Sequence, residues 1–137
     1  MSDRELMALA IEARKQAYAP YSHFSVGAAL LTADGRVYTG CNIENAAYTP
    51  TNCAERTAFF KAVSEGVRAF SAIAVTGGAG EEPADACAPC GVCRQVMAEF
   101  CGADFRVILG NAKAIRVLTL SELLPLSFSP KDLEGKR

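Results

Sequence analysis

Three cysteines and one glutamate, in two short stretches, are residue types that bind and use a metal ion. Cys53 is followed two residues later by Glu55, and Cys90 and Cys93 form a C-x-x-C pair. A C-x-x-C pair alone is consistent with structural zinc, redox or cluster chemistry. A third cysteine with a carboxylate beside it indicates catalysis, because a metal ion and a spare acid together activate water.

Zinc is the ion that these ligands favour. Thiolates are soft ligands, and three protein ligands with one open position for water are typical of catalytic zinc sites. Three thiolates and Zn²⁺ leave a net negative charge, which weakens the acidification of that water. We expect helix N-termini and Arg56 to offset this charge, although Arg56 is also consistent with a solvated helix arginine. Glu55 is the candidate proton carrier.

A second arrangement would use different cysteines. Cys87, Cys90 and Cys93 form C-x-x-C-x-x-C, and Cys101 lies further along the chain. This set is compatible with an iron–sulfur cluster or with a non-catalytic, four-cysteine zinc module. The usual cluster run has a fourth cysteine after three more residues, and Met97 stands at that position. We therefore interpret Cys87 as a loop thiol.

Composition favours a reduced, soluble protein over a nucleic-acid binder. The 137 residues include 14 basic and 15 acidic side chains for a formal net charge of −1, and 50% of them are apolar. Without a basic stripe, a long nucleic-acid partner is disfavoured. We expect a single catalytic domain over residues 1–137, located in the cytoplasm, with reduced cysteines and no membrane association.

The elements that must position these residues follow from periodicity and turn residues. A capping box at Ser2 and Glu5 opens an amphipathic helix that Pro20 ends. Two strands over 24–32 and 37–42 form a hairpin. The remaining predicted elements are a helix from 52 or 53 to 66, a strand over 71–76, a loop over 77–89, a helix over 91–101 and strands over 105–109 and 115–120.

This order predicts an α/β fold with three layers, α/β/α, around a five-stranded mixed sheet. Strands separated by single helices imply parallel crossovers, so the second, third and fourth strands should be mutually parallel. Only residues 110–114 separate the last two strands, which makes that pair an antiparallel hairpin. Both cysteine motifs then begin helices at the carboxyl ends of parallel strands and converge on one pocket.

A set of stretches spread along nearly the whole chain is specific enough to indicate a family. The two longest are Asn52-Cys53-Ala54-Glu55-Arg56-Thr57-Ala58 and Pro89-Cys90-Gly91-Val92-Cys93-Arg94-Gln95. Tyr18-Ala19-Pro20-Tyr21-Ser22, Phe24, Val26-Gly27-Ala28-Ala29-Leu30 and the run over 40–48 add to them. Together these stretches resemble the cytidine deaminases, specifically the small homotetrameric zinc class with three cysteine ligands.

The resemblance implies a hydrolase of the kind used in pyrimidine salvage, which converts free cytidine and deoxycytidine to uridine and deoxyuridine with release of ammonia. Zinc-bound hydroxide, on one zinc per subunit, would attack C4 while Glu55 moves a proton to N3 and then to the departing amine. The residues that the resemblance implies for the metal are Cys53, Cys90 and Cys93, and those for the substrate are Phe24, Asn42, Glu44, Ala54, Tyr48 and Phe128.

By the same resemblance, Asn42 and Glu44 would hydrogen-bond the ribose hydroxyls, and Phe24 would pack on the pyrimidine ring. Neighbouring subunits of a homotetramer complete the pocket in this family, so Tyr48 and Phe128 would reach into the site of another chain. Local packing is the alternative interpretation of the three aromatic side chains.

Two departures from the family pattern lie before the second cysteine motif. The loop over 77–88 looks longer and more acidic than usual, and Ala88 stands where serine is common. The loop keeps open an alternative substrate class, namely a modified cytosine nucleoside or a nucleoside antibiotic.

Overall fold

The computed structural model describes residues 1–135 as one sheet with helices on both faces. The elements in chain order are α1 (Asp3–Arg14), β1 (Ser25–Thr32), β2 (Val37–Cys41), α2 (Ala54–Ser64), β3 (Phe70–Gly78), α3 (Gly91–Phe100), β4 (Arg106–Gly110), β5 (Ile115–Thr119), α4 (Leu120–Leu123) and α5 (Pro130–Leu133). Within that part of the chain, no helix has the length and apolar character needed to cross a membrane.

The five strands form a mixed sheet in the order β2-β1-β3-β4-β5. β1 pairs antiparallel with both β2 and β3, β3 pairs parallel with β4, and β4 pairs antiparallel with β5. Strands β2, β3 and β4 therefore run in the same direction, as predicted, and the last two strands form the predicted antiparallel pair. Because β1 lies between β2 and β3, the connection through α2 passes across β1.

Two apolar clusters, one on each face of the sheet, establish the predicted three layers. Leu30 and Ile73 face α2 and α3, whereas Ala29 and Ala74 face α1. Side chains alternate between the faces of a strand, so each central strand contributes to both clusters. The side chains of β1 and β3 that face α1 include Ala29, Ala72 and Ala74, which lets that helix lie close to the sheet.

The first helix is shorter than predicted. It begins with the expected capping box at Ser2 and ends at Arg14 instead of at Pro20. The reason is a long-range contact of the following backbone: the N–H of Tyr18 donates to the carbonyl of Asn42 at 2.9 Å, and Tyr18 accepts from the N–H of Glu44 at 2.9 Å. A helical Tyr18 could not make this pairing.

Two short helices near the carboxyl terminus were not predicted. α4 begins with a capping box formed by Thr119 and Glu122, so its first residue, Leu120, is the predicted last residue of a strand. In front of α5, the N–H of Ser129 donates to the carboxylate of Asp132 at 2.8 Å. Each pair has the S/T-x-x-E/D spacing, which was a usable signal in the sequence.

Candidate active site

α2 and α3 both begin directly after a cysteine. Cys53 is the N-cap of α2 and Cys90 the N-cap of α3, each with extended backbone. Among the residues described, neither cysteine side chain accepts a capping hydrogen bond from its helix. Since β2 and β3 point the same way, the two helix starts lie at the same edge of the sheet, as the sequence predicted.

The start of α2 lies tightly on β2. A Cβ at Gly40 would lie 2.4 Å from the carbonyl oxygen of Ala54, so only glycine permits this approach. Ile43 and Asn52 exchange two backbone hydrogen bonds of 2.9 Å, which close the connection between strand and helix. The Asn52 amide also donates to the Thr57 hydroxyl at 3.2 Å. These contacts fix the position of the N-cap cysteine.

Three sulfur atoms meet between the two helix starts. The Sγ atoms of Cys53, Cys90 and Cys93 all lie within 4.8 Å of one another, with 3.8 Å between the first two and 3.5 Å between the last two. A tetrahedral zinc site with Zn–S bonds of about 2.3 Å needs sulfurs about 3.8 Å apart. The sulfur positions therefore fit zinc. In the described chain, Cys87 and Cys101 are not part of the group, which contradicts the four-cysteine module.

Arg56 lies against the sulfur cluster. Its Nη2 donates to Sγ of Cys53 at 3.2 Å, and its Nε is buried without a hydrogen-bond partner among the described residues. Hydrogen bonding from Cys93, together with Arg56, lowers the pKa of Cys53 to about 5. The same pairing and burial raise the pKa of Cys93. One thiolate is thus already favoured by protein groups.

Glu55 is buried beside the same cluster. It lies in the first turn of α2, and only 4% of its surface is exposed. Burial raises the pKa of Glu55 to about 7, and the nearby charge of Cys53 adds to the shift. A carboxyl group with this pKa can both hold and release a proton near neutral pH.

The Asn42 side chain, just after β2, holds the backbone at the start of β1. Its Oδ1 accepts from the N–H of Val26 at 2.9 Å, and its Nδ2 donates to the carbonyl of Phe24 at 2.8 Å. Asn42 is buried, whereas the Phe24 ring is partly exposed. The amide thus sets the position of the backbone that carries the predicted ring-stacking residue.

Glu44 organises the turn before β1. Its Oε1 accepts from the backbone N–H groups of Tyr21 and Ser22 at 3.0 and 3.1 Å, and its Oε2 accepts from the Ser22 hydroxyl. The bond from Ser22 lowers the pKa of Glu44, so the carboxylate is charged. Glu44 lines a cavity of about 280 Å³ together with Tyr21, Ser22, Asn45, Tyr48 and Thr51.

Besides Phe24, two other predicted substrate residues carry exposed rings. Tyr48 is 74% exposed, has a left-handed backbone with φ of 63°, and packs edge-on against Tyr21 with ring centroids 6.4 Å apart. Phe128, between α4 and α5, is exposed too, and its carbonyl accepts from Nε2 of Gln95 at 2.7 Å. The remaining substrate candidate, Ala54, is fully buried at the first position of α2.

Two arginines that were not predicted from the sequence, Arg94 and Arg14, hold the backbone around the site. Arg94 donates to the carbonyls of Pro89 and Leu123 at 2.8 and 2.7 Å, which ties the approach to Cys90 to α4. Arg14 donates from the end of α1 to several backbone carbonyls, including that of Ser25. The position of Arg94 directly after the C-x-x-C pair was a signal. Arg14 gave none, because basic residues are ordinary in the last turn of a helix.

Comparisons with known proteins agree on one family. Residues 1–110 match the family model described as cytidine and deoxycytidylate deaminase zinc-binding region. The cytidine deaminase of Sporosarcina psychrophila is 57% identical over 134 residues, which cover 97% of this chain and 96% of that protein. The cytidine deaminase of Halalkalibacterium halodurans is 55% identical over 97% of this chain and 98% of its own length.

A solved structure extends the agreement to the fold. The crystal structure of cytidine deaminase from Burkholderia pseudomallei is 50% identical in sequence and superposes with a TM-score of 0.86. The superposition covers 93% of this chain and 100% of that chain. The sheet order and helix layers described above are therefore similar to those of an experimentally determined enzyme.

Proposed function

The chain belongs to the cytidine and deoxycytidylate deaminase family, and from that premise we propose that it hydrolyses free cytidine and deoxycytidine to uridine and deoxyuridine with release of ammonia. It is a zinc-dependent hydrolase that acts on the amidine C–N bond of cytosine. The observation that carries the proposal is the cluster of three sulfurs from two helix starts, with the buried carboxyl group of Glu55 beside it.

Cys53, Cys90 and Cys93 would hold the zinc ion, since their sulfurs have the mutual spacing that the ion needs. When bound, zinc supplies the Lewis acidity that makes water a nucleophile at neutral pH. The guanidinium group of Arg56, 3.2 Å from Sγ of Cys53, offsets part of the negative charge of the thiolates. This contact supports the charge-balancing interpretation over that of a solvated helix arginine.

Glu55 is the proton carrier of the reaction. Burial raises its pKa to about 7, so its carboxyl group can take a proton from the nucleophilic water and deliver it to N3 of cytosine. The Glu55 carboxylate can then take the proton of the new C4 hydroxyl group and pass it to the amino group, which leaves as ammonia while C4 becomes a carbonyl. A carboxyl group with an ordinary pKa would hold the proton too weakly for both steps.

The sugar is bound by Asn42 and Glu44. The Asn42 amide has a second N–H and a second lone pair, and the Glu44 carboxylate has further lone pairs, so both can bind ribose hydroxyls while they hold the turn before β1. Phe24 packs on the pyrimidine, and Ala54 contributes the first backbone N–H of α2. Free cytosine should be rejected, because it leaves these polar groups unpaired.

The active enzyme is a homotetramer in which neighbouring chains complete each pocket. The exposed rings of Tyr48 and Phe128 support this assembly, because a neighbouring chain can cover them and tyrosine and phenylalanine are enriched at protein interfaces. The six cysteines of the described chain are all unpaired, which supports a reducing cytoplasmic location. The partner is a small nucleoside, with no nucleic acid or membrane involved. The single catalytic domain over 1–137 stays a prediction.

An ultraviolet assay for uridine formation tests the proposed function. We expect zinc-loaded protein to deaminate cytidine and deoxycytidine, and Glu55→Gln to lower kcat by about 10²- to 10⁴-fold with zinc retained. Glu65→Gln is the matched control, since Glu65 lies past the opposite end of α2 and accepts from the Tyr38 hydroxyl at 2.9 Å. The mechanism is wrong if neither nucleoside reacts or if Glu55→Gln reacts at the wild-type rate.

The loop over 77–88 is the feature that favours the alternative substrate class of modified cytosine nucleosides and nucleoside antibiotics. Competition assays separate the two. If cytidine is the preferred substrate, its kcat/KM should exceed that of a cytosine nucleoside antibiotic when the two compete. The alternative predicts the reverse order of kcat/KM.

A further inference from the structure

Arg14 is a buried cation at the end of α1, and only 8% of its surface is exposed. α1 lies unusually close to β1. A Cβ at Gly27 would lie 2.1 Å from the carbonyl oxygen of Ala10 and 2.5 Å from the backbone nitrogen of Arg14. This close packing carries the Arg14 side chain to the edge of the sheet where β1 begins and β3 ends. That is the edge at which α2 and α3 present the sulfur cluster.

The Arg14 guanidinium binds the backbone of two separate segments. Its donors reach the carbonyl oxygens of Ser25 at 2.9 Å, Gly78 at 2.7 Å, Gly80 at 2.5 Å and Glu81 at 2.8 Å. In the described chain it has no salt bridge. Charged hydrogen bonds to carbonyls are therefore what holds this buried cation, and the rigid fork of arginine donors suits several acceptors at once.

The rest of the same loop folds back on the end of β3. The N–H of Ala84 donates to the carbonyl of Gly77 at 2.9 Å, and Nδ2 of Asn111 donates to the carbonyl of Ala84 at 3.2 Å. The Cys87 side chain packs on Gly77, where a Cβ would lie 2.8 Å from its Sγ. The loop is thus attached at its start, middle and end.

The carboxyl end of this loop lies beside the start of β1. A Cβ at Gly77 would lie 2.8 Å from Sγ of Cys87 and 3.0 Å from Cγ2 of Val26, and the N–H of Val26 donates to Oδ1 of Asn42 at 2.9 Å. Three residues after Cys87 the chain reaches Cys90. At the other segment held by Arg14, Ser25 directly follows Phe24. One guanidinium group therefore joins the backbone beside the ring-stacking residue to the loop that leads into the second cysteine motif.

We propose that Arg14 is a positioning residue of the active site: by holding residues 78–81 and Ser25 together, it fixes the loop over 78–87 as a permanent wall of the nucleoside pocket. This proposal rests on the proposed function, because the wall is defined by the substrate it encloses. A loosened wall removes contacts that the substrate makes equally in the ground and transition states. Such a loss raises KM and leaves kcat nearly unchanged.

Zinc-loaded Arg14→Ala and Arg14→Lys proteins test the proposal. We expect Arg14→Ala to raise KM for cytidine about tenfold with kcat within about twofold of wild type. Lysine keeps the charge and the stem but not the fork, so KM should rise for Arg14→Lys as well, and this variant decides if Arg14→Ala does not fold. Added methylguanidinium should lower the KM of Arg14→Ala, whereas urea should not.

The matched control is Arg106→Met. Arg106 also ties α1 to the sheet, through two hydrogen bonds of 2.8 and 2.9 Å to Asp3, but it does not contact the loop. If the tie between α1 and the sheet were all that mattered, both arginine sites would behave alike. We expect Arg106→Met to keep the wild-type KM, although its unfolding temperature falls.

Proteolysis gives a readout that needs no catalysis. Glu81 and Glu82 lie in the loop, so a glutamyl endopeptidase should cut Arg14→Ala and Arg14→Lys there faster than wild type or Arg106→Met. Arg14 variants with wild-type KM, or with wild-type resistance to cutting at this loop, overturn the proposal. A different result would separate the two proposals. If the Arg14 variants are cut faster but the wild-type protein deaminates neither nucleoside, the proposed function has failed while the contact between Arg14 and the loop stands.

Discussion

Cys53 and Glu55 put the proposed metal ligand and the proposed proton carrier at the start of one helix. The N-cap position turns the Cys53 sulfur towards the start of α3, and the carboxyl group of Glu55 is buried next to Cys93. The types and spacing of these residues could be read from the sequence because the chemistry is local to each motif. The burial of Glu55 could not, because it depends on residues from distant parts of the chain.

The identity of the third ligand can be tested by metal content. We expect Cys53→Ser to lose most of its bound zinc, because it removes one of three sulfurs that lie within 4.8 Å of one another. Cys87→Ser should keep one zinc per chain, since Cys87 lies outside that group. Elemental analysis of both variants after dialysis measures this. Equal loss of zinc from both proteins would contradict this assignment and favour metal binding by the C-x-x-C-x-x-C run.

The contact between β2 and the start of α2 determines where the sulfur cluster forms. Glycine at position 40 is required because the helix backbone lies in the space of a side chain. The sequence predicted the elements themselves well, because apolar periodicity and turn residues are local signals. It did not give the end of α1 or the place of β1 between β2 and β3. Those features depend on long-range backbone pairing, such as that of Tyr18 with the segment after β2.

Gly40→Ala should disturb the fold and the metal centre together. The added Cβ would meet the carbonyl oxygen of Ala54 at 2.4 Å, so we expect the free energy of unfolding to fall by about 2 kcal/mol, as overpacking does. Zinc affinity should fall as well, because Cys53 moves with the helix.

The control for this substitution is Gly102→Ala, since a Cβ there has no atom within 4 Å among the described residues. Its unfolding free energy should stay within about 0.5 kcal/mol of wild type. Chemical denaturation and a zinc-chelator competition measure both quantities. A Gly40→Ala protein with normal zinc affinity would show that the helix start can shift without moving its cysteine.

At the scale of the whole molecule, one chain supplies the proposed metal ligands, the proposed acid and the side chains proposed to bind the sugar. Its large exposed aromatic side chains include Tyr48 and Phe128. The resemblance of motifs, not periodicity, singled out these two rings, because a local pattern does not report which chain a side chain contacts. Likewise, the sequence proposed Asn42 and Glu44 for the sugar but did not reveal that both already hold the turn before β1.

Mixed oligomers test whether Phe128 acts in a neighbouring site. Glu55→Gln and Phe128→Ala chains should each be nearly inactive alone. When the two are unfolded, mixed in equal amounts and refolded, about a quarter of the sites should combine an intact Glu55 with an intact Phe128 from another chain. Activity that does not exceed the sum of the separately refolded variants would place Phe128 in the site of its own chain.

The sulfur cluster also constrains the order in which the chain can fold. Cys90 and Cys93 are three positions apart, but Cys53 and Cys90 are separated by 37. In an unfolded chain the short-range pair can capture an ion at little entropic cost, whereas the third sulfur must first close a long loop. Between the two helices in sequence lies β3, which pairs with β1 and β4 in the native sheet, so we expect that closure to accompany sheet assembly. Completion of the coordination sphere is then expected to be a late folding event, and its rate should follow that of sheet assembly.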